Sequence, residues 1–586
     1  MKTQLPRWKL SDLLKSPKKD FQSLSQDMEH IVSQLEALRP HLNASVSPEH
    51  FKKAFHLYED FSTAAGKLRA YASLWFAENT QNQKATAFEA QVRKQLTNFS
   101  NRLVFLDLWW QGLSKQKSAN LLKVAGDIRY YLESLLQVKP YTLKETEEQI
   151  ITIKNSTGRE ALETLYGMFT NNFTFHLTIK KRRRVLTREE LSAYIRSPSS
   201  HLRKAAYQEL FRVYGNQKNV IGEMYKTLVS DWKNEGLTLR RYRSPLAVRN
   251  VANDIPDEAV ETLLATCRKN ASLFQQYFYL KARLLGLKSL NRYDLYAPVT
   301  ASKVTYSFDK ARSIVFESYK QFSPTLAEMA ERVWREHHLD AQIRPGKIGG
   351  AFCYSVHPKK TPYVLLNYTG QARDISTLAH ELGHAVHSML AERHSILTFH
   401  VCLPLAETAS VFGEQLLSET LLSRKLRKRE RQSLLVTQLD DLYATILRQA
   451  FFVEFEKTAH QSIEKGATVD DLGRSYQQLL LKQFGRAIAV PPEFQWEWLA
   501  IPHIFVSPFY CYAYSFGNLL VLALYQQYKK EGAAFVPKYL SLLGAGGSSS
   551  PESVLCPLGV NIRSENFWQL GFDRIQELIT ALEQTL

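Results

Sequence analysis

Apolar positions recur every three to four residues over most of the chain, the spacing that gives a helix one apolar face. Phe21, Leu24, Met28, Ile31, Leu35 and Leu38 form one such stripe, and comparable patterns continue to about residue 140. From Tyr141 to Lys180 the pattern is mixed, ending in the alternating Phe173, Phe175, Leu177 and Ile179 of a strand. Thr187-Arg188-Glu189-Glu190 is a capping box that opens a helix. Long charged helices follow as far as Leu287, with Asp254-Ile255-Pro256 marking a further start. Between Leu287 and Gly370, prolines, glycines and short apolar runs break the period, which places a small sheet there, with Tyr363 to Tyr368 as one strand. Gly544 to Pro551 reads as a turn between helices. No internal repeat is visible, and the pattern as a whole predicts a mainly α protein.

Composition narrows the class. At 586 residues the chain can bury a large core, and 45% hydrophobic with 12% aromatic residues exclude a disordered protein. No apolar run approaches the ~18 residues of a membrane span, and Met1 to Trp8 lacks the apolar core of a signal peptide. Cys267, Cys353, Cys402, Cys511 and Cys556 are odd in number and scattered, as expected of reduced thiols in a cytoplasmic protein. The net charge of +18 invites a nucleic-acid role. Its longest basic run, Lys180 to Arg184, lies between the strand and the capping box, and a solvated turn explains it better. Arg240-Arg241-Tyr242-Arg243 reads the same way, so neither nucleic acid nor membrane is an expected partner.

The chemistry concentrates at His380-Glu381-Leu382-Gly383-His384. Residues four apart project from one helix face, so both imidazoles can converge on one metal ion. Glu381, about 100° round the helix, is placed to take a proton from an attacking water rather than to join the ligands. Asp374 and Ser376 supply a plausible N-cap, and Ile375, Leu378, Ala379, Leu382, Ala385, Val386 and Met389 form the apolar stripe. Gly383 costs roughly 1 kcal/mol relative to alanine, which calls for a close approach of substrate or a neighbouring strand.

The third ligand sets the class of site. His387 and Leu390 stand where a metzincin has glycine and histidine, which excludes that class. Downstream, Ala406 to Glu414 reads as a helix with Glu407 and Glu414 on one face. Glu407 is the best third ligand, since two histidines and a glutamate leave one tetrahedral position open on zinc. Glu414 is a candidate to accept a ring N–H from a ligating histidine, with an ordinary solvated or paired carboxylate as the alternative. His387 lies two turns from His380, roughly 10 Å along the axis, too far to share the ion. His394 and His400 have no spacing argument in their favour. A third segment, Trp498 to His503 running into Pro508 to Gly517, sets phenols beside a histidine. That suits donation to the oxyanion of a tetrahedral intermediate, and an aromatic core is the alternative.

These three segments together resemble peptidase family M3, its oligoendopeptidase F branch in particular. Gly349-Gly350-Ala351-Phe352-Cys353, Pro362 to Tyr368, Tyr293 to Pro298 and Gly544 to Ser548 add to the resemblance, with Cys353 standing where tyrosine is expected. The resemblance implies a two-lobed helical metallopeptidase with a deep central channel and a small β-sheet beside the zinc helix. It implies His380, His384 and Glu407 as ligands of one zinc ion, Glu381 as general base, and His503 with one of Tyr510, Tyr512 or Tyr514 as transition-state donors. It further divides the chain into an N-terminal helical region (1–110), an oligoendopeptidase F N-terminal-like domain (111–186) and a catalytic domain (187–586).

The strand from Tyr363 to Tyr368 enters the metal helix within a few residues, and as an edge strand it can pair with an extended peptide. Gly349, Gly350 and Ala351, with Tyr363 and Asn367 from that strand, are the expected peptide-binding positions. The expected activity is cleavage of internal bonds in short unstructured oligopeptides. A carboxypeptidase or dipeptidase of the same family, and a non-catalytic basic protein binding peptide or nucleic acid, are the rivals. The intact Glu381 argues against the last.

Overall fold

Helices make up most of the chain in the computed structural model, which describes residues 5–300 and 305–586. The contacts define two units, each built from three separate stretches. The first comprises Met1–Pro140, Val304–Leu421 and Gln527–Val560, and the second Tyr141–Lys303, Leu422–Gln526 and Asn561–Leu586. Among the described residues no helix is long and apolar enough to cross a membrane.

In the first unit, the helices Pro17–Leu38, Pro48–Glu78 and Gln83–Gly112 pack on one another. The predicted stripe is the face they bury: Met28, Val32, Leu35 and Leu38 are interior, and Phe21, Leu24 and Ile31 flank them. Trp110, wholly buried, satisfies its indole N–H on the Leu132 carbonyl at 2.8 Å. The same core takes in Val356, Tyr363 and Leu365, and so ties this helical layer to the small sheet.

That sheet runs Leu339–Asp340, Tyr363–Leu365, Phe352–Tyr354, with the first pair parallel and the second antiparallel. Tyr363–Leu365 is therefore the central strand, not an edge; Leu339–Asp340 and Phe352–Tyr354 are the edges. The reason is visible in its three consecutive buried residues: a strand apolar on both faces is covered on both.

In the second unit, Phe175–Ile179 pairs with Arg182–Leu186 in a hairpin. Only Lys180 and Lys181 form the turn, both with positive φ, while Arg182, Arg183 and Arg184 belong to the exposed second strand. The capping box opens the Arg188–Ile195 helix as expected. A helix begins at Asp257, directly after the Asp254-Ile255-Pro256 signal, and Asp254 also closes the preceding Pro245–Asn253 helix in a left-handed conformation. Two buried ion-pair groups fix the interior, Lys281 with Asp440 at 2.6 Å and Arg292 with Glu497 at 2.9 Å. Removing one partner of such a pair typically costs about 3–5 kcal/mol.

Candidate metal centre

The metal motif lies on the Ala372–Leu390 helix of the first unit. The helix starts one turn earlier than its sequence signals suggest. Gln371 is the cap, and the Asp374 carboxylate accepts the backbone N–H groups of Thr369 and Gln371 at 2.7 and 3.0 Å. Ser376, freed from capping, donates instead to Glu414 at 2.8 Å.

Helical spacing brings the His380 and His384 rings to 4.9 Å. Glu407 closes the set, with its Oε2 at 3.3 Å from His380 Nε2 and 3.5 Å from His384 Nε2. Two donors each about 2.0–2.1 Å from a tetrahedral zinc lie roughly 3.3–3.4 Å apart, so both edges have the right length for one ion. Among the described residues these three are the group able to hold a metal in this way. Glu407 itself is not helical. It sits at the break between Leu403–Ala406 and Thr408–Leu422, with Glu414 two turns further along the second helix.

Gly383 has a specific reason. A Cβ there would fall 2.5 Å from the Ala409 carbonyl oxygen and 2.6 Å from Ser410 Cα. The close approach is therefore made by the backbone that follows Glu407, neither by a strand nor by substrate, and glycine lets the two ligand-bearing segments meet. Gly413 leaves a matching space for the Tyr319 hydroxyl, which donates to the Ala379 carbonyl at 2.5 Å.

The set has neighbours that orient it. His380 Nδ1, which carries the proton when Nε2 faces the set, donates to Glu414 at 2.6 Å. The Ala406 carbonyl faces the other imidazole, His384, and Ser410 donates to Glu407 at 2.7 Å. Ser376 and Ser410 were open to sequence reasoning, lying four residues before His380 and three after Glu407 on shared faces. The Ala406 carbonyl and Tyr319 carry no such signal.

Glu381 is 6% exposed beside this set. Burial pushes its carboxyl up to about 7, with His380 opposing and the Glu407 and Glu414 charges adding. It shares a pocket of about 390 Å³ with the three donors, Ala351, Phe352, Cys353, Ser355, His387 and His400. The Cys353 thiol is held high, by burial and by Glu381. Burial with the neighbouring His384 and His400 pushes His387 down to about 4, with the Ala406 carbonyl opposing. It packs and orients, as its spacing requires. His394 bonds Asp127 at 2.7 Å and the Gly544 carbonyl at 2.9 Å, a structural place. The Gly544–Ser548 segment braces the pocket wall through Gly547, whose N–H reaches the Thr398 carbonyl at 2.8 Å.

Of the expected peptide-binding positions, Ala351 lies in the pocket wall. Tyr363 does not face it: it is fully buried, its hydroxyl bonded to Asp12 and the Lys9 carbonyl. Asn367 donates to the Ile348 and Gly350 carbonyls at 3.0 and 2.8 Å, so it shapes the exposed Gly349-Gly350 turn.

In the second unit, His503 lies on a short helix, Pro502–Val506, just before the Tyr512–Glu531 helix. Its Nε2 is 3.3 Å from the Tyr514 hydroxyl. The Tyr510 ring stacks on the imidazole at 5.9 Å and meets Tyr514 edge-on at 5.2 Å. Tyr512 points the other way, fully buried, with its hydroxyl accepting from Asn253 at 2.8 Å. Tyr510, in the turn before the helix, and Tyr514, in its first turn, both meet His503, whereas the burial of Tyr512 against Asn253 removes it from the candidates.

A helical scaffold carrying a glutamate beside a His-His-Glu donor set defines a metal-dependent hydrolase. Residues 193–574 match Peptidase family M3 and residues 110–175 match Oligopeptidase F. The chain belongs to peptidase family M3. Oligopeptidase PepF of Bacillus subtilis is 25% identical over 596 residues, covering 99% of this chain and 87% of that protein. Group B oligopeptidase PepB of Streptococcus agalactiae is 27% identical over 534 residues, 89% and 88% of the two chains. Among solved structures, a chain from Chlamydophila abortus superposes with a TM-score of 0.86 at 25% identity, covering 99% of this chain and 98% of that one. Oligoendopeptidase-F from Enterococcus faecium shares the fold, with a TM-score of 0.72 at 22% identity over 97% and 100%. The chain is accordingly a peptidase.

Proposed function

We propose that the chain is a zinc endopeptidase that cuts internal bonds of short, unstructured oligopeptides in the cytoplasm. The observation that carries the reading is the donor set itself, whose edges of 3.3 and 3.5 Å match one tetrahedral zinc, with Glu381 next to it. Two imidazoles and one carboxylate are the ligands zinc takes in catalytic sites with an open position. Zinc held there supplies Lewis-acid polarisation of the scissile carbonyl and of the attacking water.

The protein's own residues do the rest. Glu381 accepts a proton from the water and returns it to the leaving amine. Glu414, the Ala406 carbonyl and Ser410 keep the ligand rings and carboxylate oriented. His503 with Tyr510 or Tyr514 donates to the oxyanion. Ala351 and the free edge of Phe352–Tyr354 hold the peptide main chain. The relatives' names support oligopeptide substrates, and five scattered cysteines, none of them in a disulfide, support a reducing compartment. Nucleic acid and membrane have no part in the reading, and the division at 110 and 186 belongs to it as well.

Product masses from a digest of mixed peptides test the endopeptidase assignment. Internal cleavage is expected; release of single residues or dipeptides from one end only would overturn it.

A further inference from the structure

Phe509 has a φ of 58°, in the region where a bulky side chain is rarely found. It is the third residue of a turn closed by the Tyr510 N–H on the Ser507 carbonyl at 3.1 Å, with Pro508 second. A turn with proline second and a left-handed third residue is type II, and its third residue is ordinarily glycine. A type I turn would relieve Phe509 at once. The two types differ in the orientation of the central peptide group, which turns over by nearly 180° between them.

Here that peptide group is held at both ends. The Phe509 N–H donates to Glu456 at 2.7 Å, and the Pro508 carbonyl accepts from Arg249 Nε at 3.0 Å, with Arg249 also on the Ser507 hydroxyl at 3.0 Å. Glu456 comes from the Arg448–Glu464 helix and is 0% exposed, and among the described residues its second oxygen has no partner. The next turn of that helix presents His460, whose ring packs on Phe509 at 4.7 Å and whose two nitrogens have no hydrogen-bond partner among the described residues. Burial raises Glu456 to about 8, with the Phe509 N–H and Arg249 opposing. Burying a carboxyl with one oxygen unpaired beside a histidine with neither nitrogen paired is costly.

The same turn joins the polar rings. The Ser507 N–H bonds the His503 carbonyl at 2.8 Å, and the Ala513 N–H bonds that of Tyr510 at 3.0 Å. Glu456 and Arg249 tie this turn to the Arg448–Glu464 and Pro245–Asn253 helices, and without them the segment between His503 and Tyr510 is free to shift as a whole.

We infer that Glu456 and Arg249 are positioning residues, a two-sided clamp on the Pro508–Phe509 peptide that anchors the turn between two helices and so sets Tyr510 and Tyr514 against His503. The inference rests on the reading of those rings as oxyanion donors. Glu456→Ala is expected to lower kcat by about 10²-fold, as a misplacement of ~1 Å does, with KM within a few-fold and metal content unchanged. Glu456→Gln, which keeps an acceptor for the Phe509 N–H, should restore most of that loss. Arg249→Met, attacking the clamp from the other side, should show the same kcat loss, and it keeps the test alive if Glu456→Ala does not fold. The double variant should be no more than a few-fold worse than either single, because both residues anchor the same peptide group. Unchanged kcat in both singles overturns the inference, as do a Gln variant as impaired as Ala and losses that multiply. Should His503→Ala and Tyr514→Phe keep parental turnover, the oxyanion reading fails and takes the inference with it. If these two lose turnover while the clamp variants do not, the inference alone is wrong.

Discussion

In the first unit, each member of the donor set is braced by another side chain or carbonyl within about thirty residues of sequence. Glu414 takes His380 at 2.6 Å and Ser410 takes Glu407 at 2.7 Å, while Gly383 lets the two segments touch. In the second unit the polar ring tips follow the backbone, through a strained turn at Phe509 and the start of the Tyr512–Glu531 helix. A metal ion demands fixed distances to several atoms at once, which charge-assisted hydrogen bonds between side chains supply. A neutral donor to a transient charge needs only to stand in the right place when that charge forms, which a turn can arrange. The two regions should therefore fail differently, the first by losing metal, the second by losing turnover with the metal kept.

The largest effect separates base from ligand inside the first unit. Glu381→Gln should retain metal and lose ~10²–10⁴-fold in turnover for want of a proton acceptor, whereas Glu407→Ala should lose metal and activity together. Metal analysis beside peptide turnover reads both, and residual activity within tenfold of the parent in Glu381→Gln removes it as the base.

Next, Tyr514→Phe should cost ~10²–10³-fold in turnover with metal content intact. Assayed in parallel, Tyr510→Phe shows whether one hydroxyl or two contribute. Metal loss in either variant would blur the contrast between the units.

Smaller still, Glu414→Ala should weaken metal affinity by ~10–100-fold, since the His380 ring loses the partner that orients it. A chelator competition titration measures this. Affinity unchanged from the parent means that Glu414 is a bystander.

The smallest change is expected from Tyr512→Phe. It removes the hydroxyl that pairs with Asn253 in the core, so it should cost about 1–3 kcal/mol of stability and little turnover. Denaturant unfolding and a turnover assay on one preparation check both halves.

The metal set was legible because helical spacing alone places His380, Glu381 and His384, and because ligand chemistry singles out a nearby carboxylate. The local conformation at Glu407 was not, since a one-residue break between helices leaves no mark on the apolar pattern. Tyr363 was misread as an edge position because a short apolar run looks alike in a central strand and an edge strand until its neighbours are known. Among Tyr510, Tyr512 and Tyr514 only the backbone decides, and the sequence allowed both alternation and helix. The interleaving of three stretches in each unit has no local signal either, since it arises from burial between distant segments.

His380, His384 and Glu407 are expected to hold one zinc ion without which peptide cleavage stops. Metal analysis of the purified protein, with cleavage of a quenched-fluorescent peptide before and after chelation and after zinc is returned, is the decisive measurement. One zinc per chain, loss of cleavage on chelation and recovery with one equivalent of zinc are expected. Full cleavage by protein stripped of metal would contradict this.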